Sequence, residues 1–489
     1  MPQAPDRADV ADALARLDRT ALAEARWYGA KGRGIVRVDL DEAFALDADG
    51  RTILAVATFM LDDGSPARYA IPLTGLTGET RLTGAPASLR EAHPGEGVWR
   101  ALAVAMHEGR AIPSLTDTPD DAPSAVLVCR PAAAMPAEGP GTERDLGADQ
   151  SHTSVVLGDE ILLKAYRRLQ PGLNPDLEMT AYLSEEAGFS AVPPLAGFAE
   201  VVDRRHGTTT VAMAQRFIPD GADAFESVAD MLTTWLLAPG AVSLEYATEV
   251  ASDLGQLTAG LHAAVLADPT GHGLPDMAPR QATRDEVRAW AATARDRLER
   301  ALEVAPAAFG AAETLKALAP RIAEALTIID ALPRSPEVIR AHGDLHLGQI
   351  LVAPDGYRII DFEGEPTATP DERRAHRHPL RDIASMLRSL DHVAGSAARR
   401  AERAHGGPLE HRGLDLPGWR RRSRERYLAA YRDGLLEARL VPDLDPALLR
   451  AFEIDKELYE LDYAATYLPS WLWAPTDGIR GLFDDPVVQ

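Results

Sequence analysis

The residues best suited to chemistry lie in one stretch, His342-Gly-Asp344-Leu-His346-Leu-Gly-Gln349, followed by Ile359-Ile360-Asp361-Phe362-Glu363. Asp344 and Asp361 offer carboxylates and Gln349 an amide, each beside an apolar, strand-like run. Phosphoryl transfer needs such a set. One carboxylate accepts or orients the attacking hydroxyl, while a carboxylate and an amide oxygen hold Mg2+ against the phosphates. A rival reading is a metal hydrolase, because His342, Asp344 and His346 alternate and would share one face of a strand as Zn2+ ligands. That reading leaves Gln349 without a role and lacks a further ligand cluster.

The spacing H-x-D-x-x-x-x-Q reproduces the kinase catalytic-loop pattern with Gln in place of Asn, and Asp361-Phe-Glu stands where such enzymes carry Asp-Phe-Gly. Kinases also need a cation for the ATP phosphates. Lys164 ends the apolar run Ile161–Leu163, and Glu178 falls on the next helix, in the order of the phosphate-binding lysine and its helical glutamate. A glycine-rich loop is missing. Gln150-Ser151-His-Thr153-Ser154 stands in its place, with hydroxyls and N–H groups suited to phosphate. Gln215-Arg-Phe217-Ile follows a strand and precedes a helical region, the position of an adenine-binding hinge, although core packing accounts for Phe217 equally well.

The elements that must position these groups are legible in outline. Residues 1–105 mix a helix over Asp9–Leu22 with alternating strands over Thr52–Met60 and Ala67–Pro72. From Ile112 to Gln150 the chain is rich in Pro, Ala, Gly and Asp around one short strand, Ala125–Cys129, and reads as a seam. Ser154–Leu157 and Ile161–Tyr166 form a hairpin about Gly158-Asp-Glu160. A helix over Pro175–Glu186 and a strand over Thr209–Phe217 follow. Val250, Leu254, Leu257, Leu261 and Val265 form one helical stripe, and Thr283 with Glu286 a capping box. Strands are expected at Glu337–Ala341, Gln349–Val352 and Tyr357–Asp361. The remainder is helical, without an internal repeat.

The 489 residues exceed what one core accommodates, so several domains are expected. A net charge of −23 disfavours nucleic acid and anionic membrane as partners. Cys129 is the single cysteine, which suits a reducing cytoplasm, and neither a secretory signal nor a membrane-spanning run is visible. Oligomeric state is not encoded in any legible pattern.

Taken together, these motifs resemble the maltokinase family, a branch of the aminoglycoside-phosphotransferase-like kinases. Arg26-Trp-Tyr-Gly-Ala-Lys-Gly-Arg33 is similar to that family's N-terminal cap signature. Gln150-Ser-His-Thr-Ser-Val-Val, Arg167-Arg-Leu-Gln-Pro-Gly-Leu-Asn-Pro-Asp-Leu-Glu178, the Asp344 and Asp361 motifs and Pro379-Leu-Arg-Asp-Ile-Ala384 match it closely. The resemblance implies an α+β, two-lobed protein-kinase-like fold: a cap over 1–110, a β-rich lobe over 111–217 and a mostly helical lobe over 218–489. It implies ATP and Mg2+, with Asp344 as catalytic base, Gln349 and Asp361 as metal ligands, Lys164 on phosphate, and Glu178 positioning Lys164.

The C-terminal helix departs from the pattern. After Asp455-Lys456-Glu-Leu-Tyr459-Glu460 the family's polar continuation is replaced by Leu-Asp462-Tyr463-Ala-Ala-Thr-Tyr-Leu-Pro-Ser-Trp-Leu-Trp473. Aromatic faces stack on sugar rings, and a carboxylate such as Asp462 can hold an ammonium. The departure suits glucosamine, the substrate of related actinobacterial kinases, over maltose. Asp344, His346, Lys456, Tyr459, Glu460, Asp462, Tyr463 and Trp473 are the expected sugar contacts, while Tyr463, Tyr467 and Trp471 also fit a core at helical spacing. Arg381 and Asp382 are expected to fix the catalytic loop. A nucleotide-binding sensor without transfer, and a kinase of antibiotics, complete the alternatives.

Overall fold

The computed structural model describes residues 5–75, 89–117, 122–147, 152–238, 242–268, 270–271, 274, 276–332, 335–409 and 414–484. They divide into two compact units, 1–185 with 193–219 and 186–192 with 220–489.

The first unit opens with α1 (Arg7–Ala15) and α2 (Arg19–Glu24). The expected single helix breaks because Asp18 accepts from the N–H groups of Thr20 and Ala21 and caps a new one. Next come β1 (Ile35–Ala45), β2 (Thr52–Leu61), β3 (Pro66–Gly75), β4 (Leu89–Glu91), α3 (Val98–His107), β5 (Ala111–Pro113), β6 (Ala125–Pro131), β7 (Glu143–Asp145), β8 (Thr153–Leu157), β9 (Ile161–Ala165) and β10 (Arg168–Leu169). The unit ends with α4 (Pro175–Ala181), a π-helical turn Tyr182–Glu186, β11 (Leu195–Asp203) and β12 (Gly207–Arg216).

Two sheets result. One runs β1-β2-β3-β10 with β4 also on β3, and the other β5-β6-β11-β12-β9-β8-β7. The expected seam therefore supplies three strands to the second sheet, because Pro and Gly there mark strand ends and not a linker. One apolar core joins Phe44, Leu54 and Val56 of the first sheet to Trp99 and Leu102 of α3 and to Leu127, Val155 and Leu163 of the second.

In the second unit β13 (Ala222–Asp223) leads to α5 (Ala224–Leu237), α6 (Leu244–Ala247), α7 (Glu249–Leu266), β14 (Arg280–Gln281), α8 (Arg284–Val304) and α9 (Ala311–Asp330). The site then forms around β15 (Glu337–Val338), β16 (Ile350–Ala353) and β17 (Gly356–Ile359). It is backed by α10 (Pro370–Arg374), α11 (Leu380–His405), α12 (Leu416–Glu437), α13 (Pro446–Tyr467) and α14 (Trp473–Asp484). The Thr283–Glu286 capping box is present at the start of α8. On α7 Leu254, Leu261 and Val265 of the apolar stripe are buried, and the buried face widens to Ala251, Gly255, Thr258 and His262, since α12 crosses where small residues permit close approach. No helix among the described residues is long and apolar enough to cross a membrane.

Candidate active site

The loop from Ile339 to Gln349 is held by a carboxylate. Asp382, in the first turn of α11, accepts from His342 N (2.9 Å) and Gly343 N (3.0 Å), and its Oδ2 lies 3.1 Å from His262 Nε2. Gly343 sits at φ +84°, a conformation only glycine adopts freely. His342 Nδ1 accepts from Asp344 N (3.3 Å), so its Nε2 carries the proton and donates to Ile360 O (3.1 Å). Both ring nitrogens are thereby engaged with backbone, which removes His342 from the metal-ligand role of the hydrolase reading. The histidine instead ties the loop to the strand end that carries Asp361. Of the two residues expected to fix the loop, Asp382 does so, whereas Arg381 turns to Asp455 (2.7 Å). Asp382→Asn replaces one accepting oxygen by an amide facing a donor. It is expected to cost about 1–3 kcal/mol, measured by denaturant unfolding.

Asp344 is 8% exposed and faces two cationic or titratable side chains. Lys456 Nζ donates to its Oδ1 at 2.8 Å, and His346 Nε2 lies 3.8 Å from its Oδ2. Burial alone would raise its pKa; Lys456 and then His346 more than offset this and hold the carboxyl at about 2. His346 Nδ1 accepts from Gly348 N, so Nε2 bears the proton, and burial lowers this ring below the ordinary histidine range. Lys456 also pairs with Glu460 at 3.0 Å.

Asp361 takes φ +67°, a left-handed conformation that costs a non-glycine residue about 1–3 kcal/mol and is characteristic of functional sites. Gln349 Nε2 donates to Asp361 Oδ2 at 3.2 Å. A Glu363 carboxylate oxygen lies within 4.8 Å of one from Asp361, and Glu363 also meets Arg373 at 3.4 Å. Carboxylate oxygens with an amide that can turn its oxygen inward make a hard, all-oxygen donor set, which fits Mg2+. Glu363 is a donor that the sequence reading passed over, although it follows Asp361 by two residues.

Helix α13 buries Glu453, Asp455, Lys456 and Glu457 in succession, so each must find a partner. Glu453 meets Arg388 and Arg424, Asp455 meets Arg297 and Arg381, and Glu457 meets His392 at 3.1 Å. The expected sugar contacts separate into three groups. Asp344, His346, Lys456 and Glu460 come together. Tyr459, Asp462 and Tyr463 line a cavity of about 500 Å3 with Trp290, Arg297 and Arg300, and the Asp462 carboxylate already meets Arg300 Nε at 3.3 Å. Trp473 is buried beneath Arg399 and packs on Gly395 of α11, where a Cβ would lie 2.6 Å from its ring. Its neighbour Trp471 is half-buried between His392 and Phe225.

In the first unit Lys164 lies opposite Ser154 in the β8–β9 register, with Thr153 opposite Ala165. Lys164 Nζ donates to Asp176 Oδ2 at 2.6 Å. Asp176 of the first turn of α4 is thus a carboxylate partner of Lys164, and half-buried Glu178 follows in the same turn. Ser151 falls outside the described residues. The Gln215 side chain turns inward to Thr180 and Pro193 O, and Phe217 N donates to Glu160 O at 2.8 Å, so that hinge donor is already engaged.

Comparison with known proteins places this geometry. Residues 144–414 match the phosphotransferase enzyme family, and residues 22–107 match the maltokinase N-terminal cap domain. A glucosamine kinase of Streptacidiphilus jiangxiensis is 31% identical over 427 residues, 86% of this chain and 86% of the relative. One from Mycolicibacterium smegmatis is 28% identical, covering 87% of this chain and 98% of the relative. A solved glucosamine kinase in complex with glucosamine, ADP and inorganic phosphate superposes with a TM-score of 0.70 at 26% identity, covering 98% of this chain and 100% of that one.

Proposed function

The chain belongs to the phosphotransferase enzyme family, with that family's kinase fold, and from that premise we propose that it is an ATP- and Mg2+-dependent glucosamine kinase forming glucosamine 6-phosphate. The observation that carries the choice of acceptor is the charge around Asp344. Two carboxylates, Asp344 and Glu460, face one ammonium, Lys456, so among these three side chains one carboxylate charge is left over. A cationic sugar completes that balance; a neutral disaccharide does not. The named activity of the two bacterial relatives supports the same choice.

In this reading the sugar hydroxyl hydrogen-bonds to Asp344 and lies in line with the γ-phosphate. A carboxyl held near 2 is a weak base, so Asp344 orients the hydroxyl and takes its proton as the bond to phosphorus forms. Glu460 holds the sugar ammonium, and Trp471 offers an aromatic face. Lys164, fixed by Asp176, takes the phosphates together with Thr153 and Ser154. Gln349 and Asp361, with Glu363, would hold Mg2+, which when bound neutralises charge on the transferred group. The buried Cys129 and the acidic chain fit a cytoplasmic enzyme without nucleic-acid partners.

The test is ADP release from ATP and Mg2+ with glucosamine, glucose, maltose, kanamycin or no acceptor. Turnover with glucosamine above all others is expected, with phosphorus NMR placing the phosphate on the 6-hydroxyl. Turnover with maltose would install the second reading, maltose 1-phosphate formation, which the cap-domain match favours. No acceptor-dependent release at all would sink both and leave a nucleotide-binding sensor.

A further inference from the structure

We propose that the first unit carries a second small-molecule site, which takes a phosphomonoester dianion the size of a hexose phosphate. It is a cavity of about 660 Å3 that shares no residue with those assigned above to nucleotide, metal or sugar. The cavity arises because one face of the β1-β2-β3 sheet changes character along its length. On β2, Leu54 and Val56 lie in the apolar core, and the next residues on that face, Thr58 and Met60, line the cavity. On β3, Ala70 belongs to the same core, whereas Arg68, paired with Thr58, belongs to the cavity. On β1, Arg37 and Asp39 stand opposite Met60 and Thr58. The segment 168–171 and the β11–β12 turn, at Arg205 and His206, supply the other walls.

The charge in the cavity runs against that of the chain, whose acids outnumber its bases by 74 to 51. Five basic side chains, Arg37, Arg68, Arg168, Arg205 and His206, line it with two carboxylates, Asp39 and Asp41. Both carboxylates are engaged. Asp39 accepts from Arg37 Nε at 2.8 Å, and Asp41 accepts from Thr58 Oγ1 at 2.8 Å and from Arg68 Nε at 3.3 Å. The Arg68 side chain is only 10% exposed, and its Nη2 donates to Asp203 Oδ2 at 3.2 Å. His206 lies against the same Asp203. Arg68 Nη1 is buried and has no partner among the described residues, and such an unmet donor is costly. Neither Arg168 nor Arg205 pairs with a carboxylate among the described residues; the nearest acceptor of Arg168 is Gly29 O, at 3.5 Å. With Arg37 matched by Asp39, and Arg68 and His206 by Asp41 and Asp203, two guanidinium charges remain. A phosphomonoester near neutral pH carries about −1.5 to −2, and guanidinium forks fit its oxygens in pairs. The volume exceeds what a phosphate alone fills, and Gln170 on the wall offers an amide to sugar hydroxyls. The site lies outside the proposed reaction and does not depend on which sugar is accepted, although a sugar phosphate product belongs to the class.

The test is isothermal titration of the full chain with glucosamine 6-phosphate, glucose 6-phosphate and inorganic phosphate, with ADP titrated in parallel to report the nucleotide site. Wild type is compared with Arg205→Glu, Arg168→Gln and Arg204→Glu. Arg205 is exposed in a turn without a side-chain partner, so its replacement is expected to leave the fold intact. Arg204 adjoins it but does not line the cavity, and its replacement makes the same change in net charge. The expected result is sugar phosphate affinity reduced about tenfold or more in Arg205→Glu and Arg168→Gln, with Arg204→Glu like wild type and ADP affinity unchanged throughout. Tighter binding of the sugar phosphates than of inorganic phosphate supports an ester as the occupant. Equal affinities, lost in the same two variants, support the anion site with free phosphate as its occupant. Wild-type binding of all three anions in both cavity variants would overturn the proposal, as would no binding to wild type. An equal loss in Arg204→Glu would also overturn it, by reporting the field of the turn, and so would a parallel loss of ADP affinity, by placing the anion in the nucleotide site.

Discussion

Asp361→Asn is expected to lower kcat by about a thousandfold or more with glucosamine KM little changed, a larger loss than Asp344→Asn gives. The ordering follows from charge. A loose phosphoryl-transfer transition state gathers negative charge on the transferred group and asks little of a base. In the proposed Mg2+ set Asp361 and Glu363 are charged donors, and Gln349, bonded to Asp361, brings an uncharged one. Asparagine keeps the shape and the left-handed backbone, which it tolerates better than most residues, and removes the charge alone. Asp344→Asn removes proton acceptance but retains an oxygen for the hydroxyl, and a loss of about a hundredfold to ten-thousandfold is typical of such a change. The measurement is steady-state kinetics across a Mg2+ series. Higher Mg2+ is expected to recover part of the Asp361→Asn loss and none of the Asp344→Asn loss. Near-normal turnover by Asp344→Asn would remove it from the acceptor site altogether.

These two aspartates were legible in the chain because the loop chemistry is local. The distance from His342 to Gln349 is set by a few residues of backbone, and spacing along the sequence becomes spacing in the site. Local signals elsewhere were equally direct. Thr283 and Glu286 make their reciprocal cap, and Gly158-Asp-Glu160 turns the hairpin that places Lys164. What failed to show was pairing between distant elements. Asp176 and Glu178 both sit in the first turn of α4 and differ by about 200° around it. Periodicity alone does not reveal that Asp176 meets Lys164 on β9. Asp462 reads as a carboxylate available for an ammonium until α8 brings Arg300 to it. Trp471 and Trp473 are two residues apart and similar in sequence context, yet Gly395 on α11 makes a seat for the second alone. The partners of Arg167 were likewise hidden, since nothing near it in sequence announces Ala70, Glu91 or Trp27. One signal did point outward. Four charged residues from Glu453 to Glu457, with only Ile454 between them, leave a helix no polar face to itself, which requires partners on every side.

Lys456→Met carries that argument to its consequence. Methionine fills the space of the lysine stem, so the change is chiefly the loss of one buried ammonium. Asp344 and Glu460 then face each other without the cation, and breaking such a pair costs about 3–5 kcal/mol. The sign of the pH effect is fixed by what remains. In the native protein the Asp344 carboxyl is held at about 2, so its contribution to stability is present above the unfolded carboxylate range and is lost as pH falls through 2. Kinase activity should accordingly show no acidic limb from Asp344 above about pH 4. Without Lys456, burial and the Glu460 charge both push the Asp344 pKa upward, and an acidic limb should appear in the pH profile of kcat, at higher pH than any limb of the native enzyme. A variant too unstable to assay is met by the double change Asp344→Asn with Lys456→Met. It removes both charges and should unfold at higher denaturant than Lys456→Met alone. Were the double variant no more stable than the single one, the cost would lie in packing around the lysine stem and not in an uncompensated carboxylate. If the single variant kept the native pH profile, Lys456 would not be what holds Asp344 ionised, and the charge balance that selects an amino sugar would have to be drawn without it.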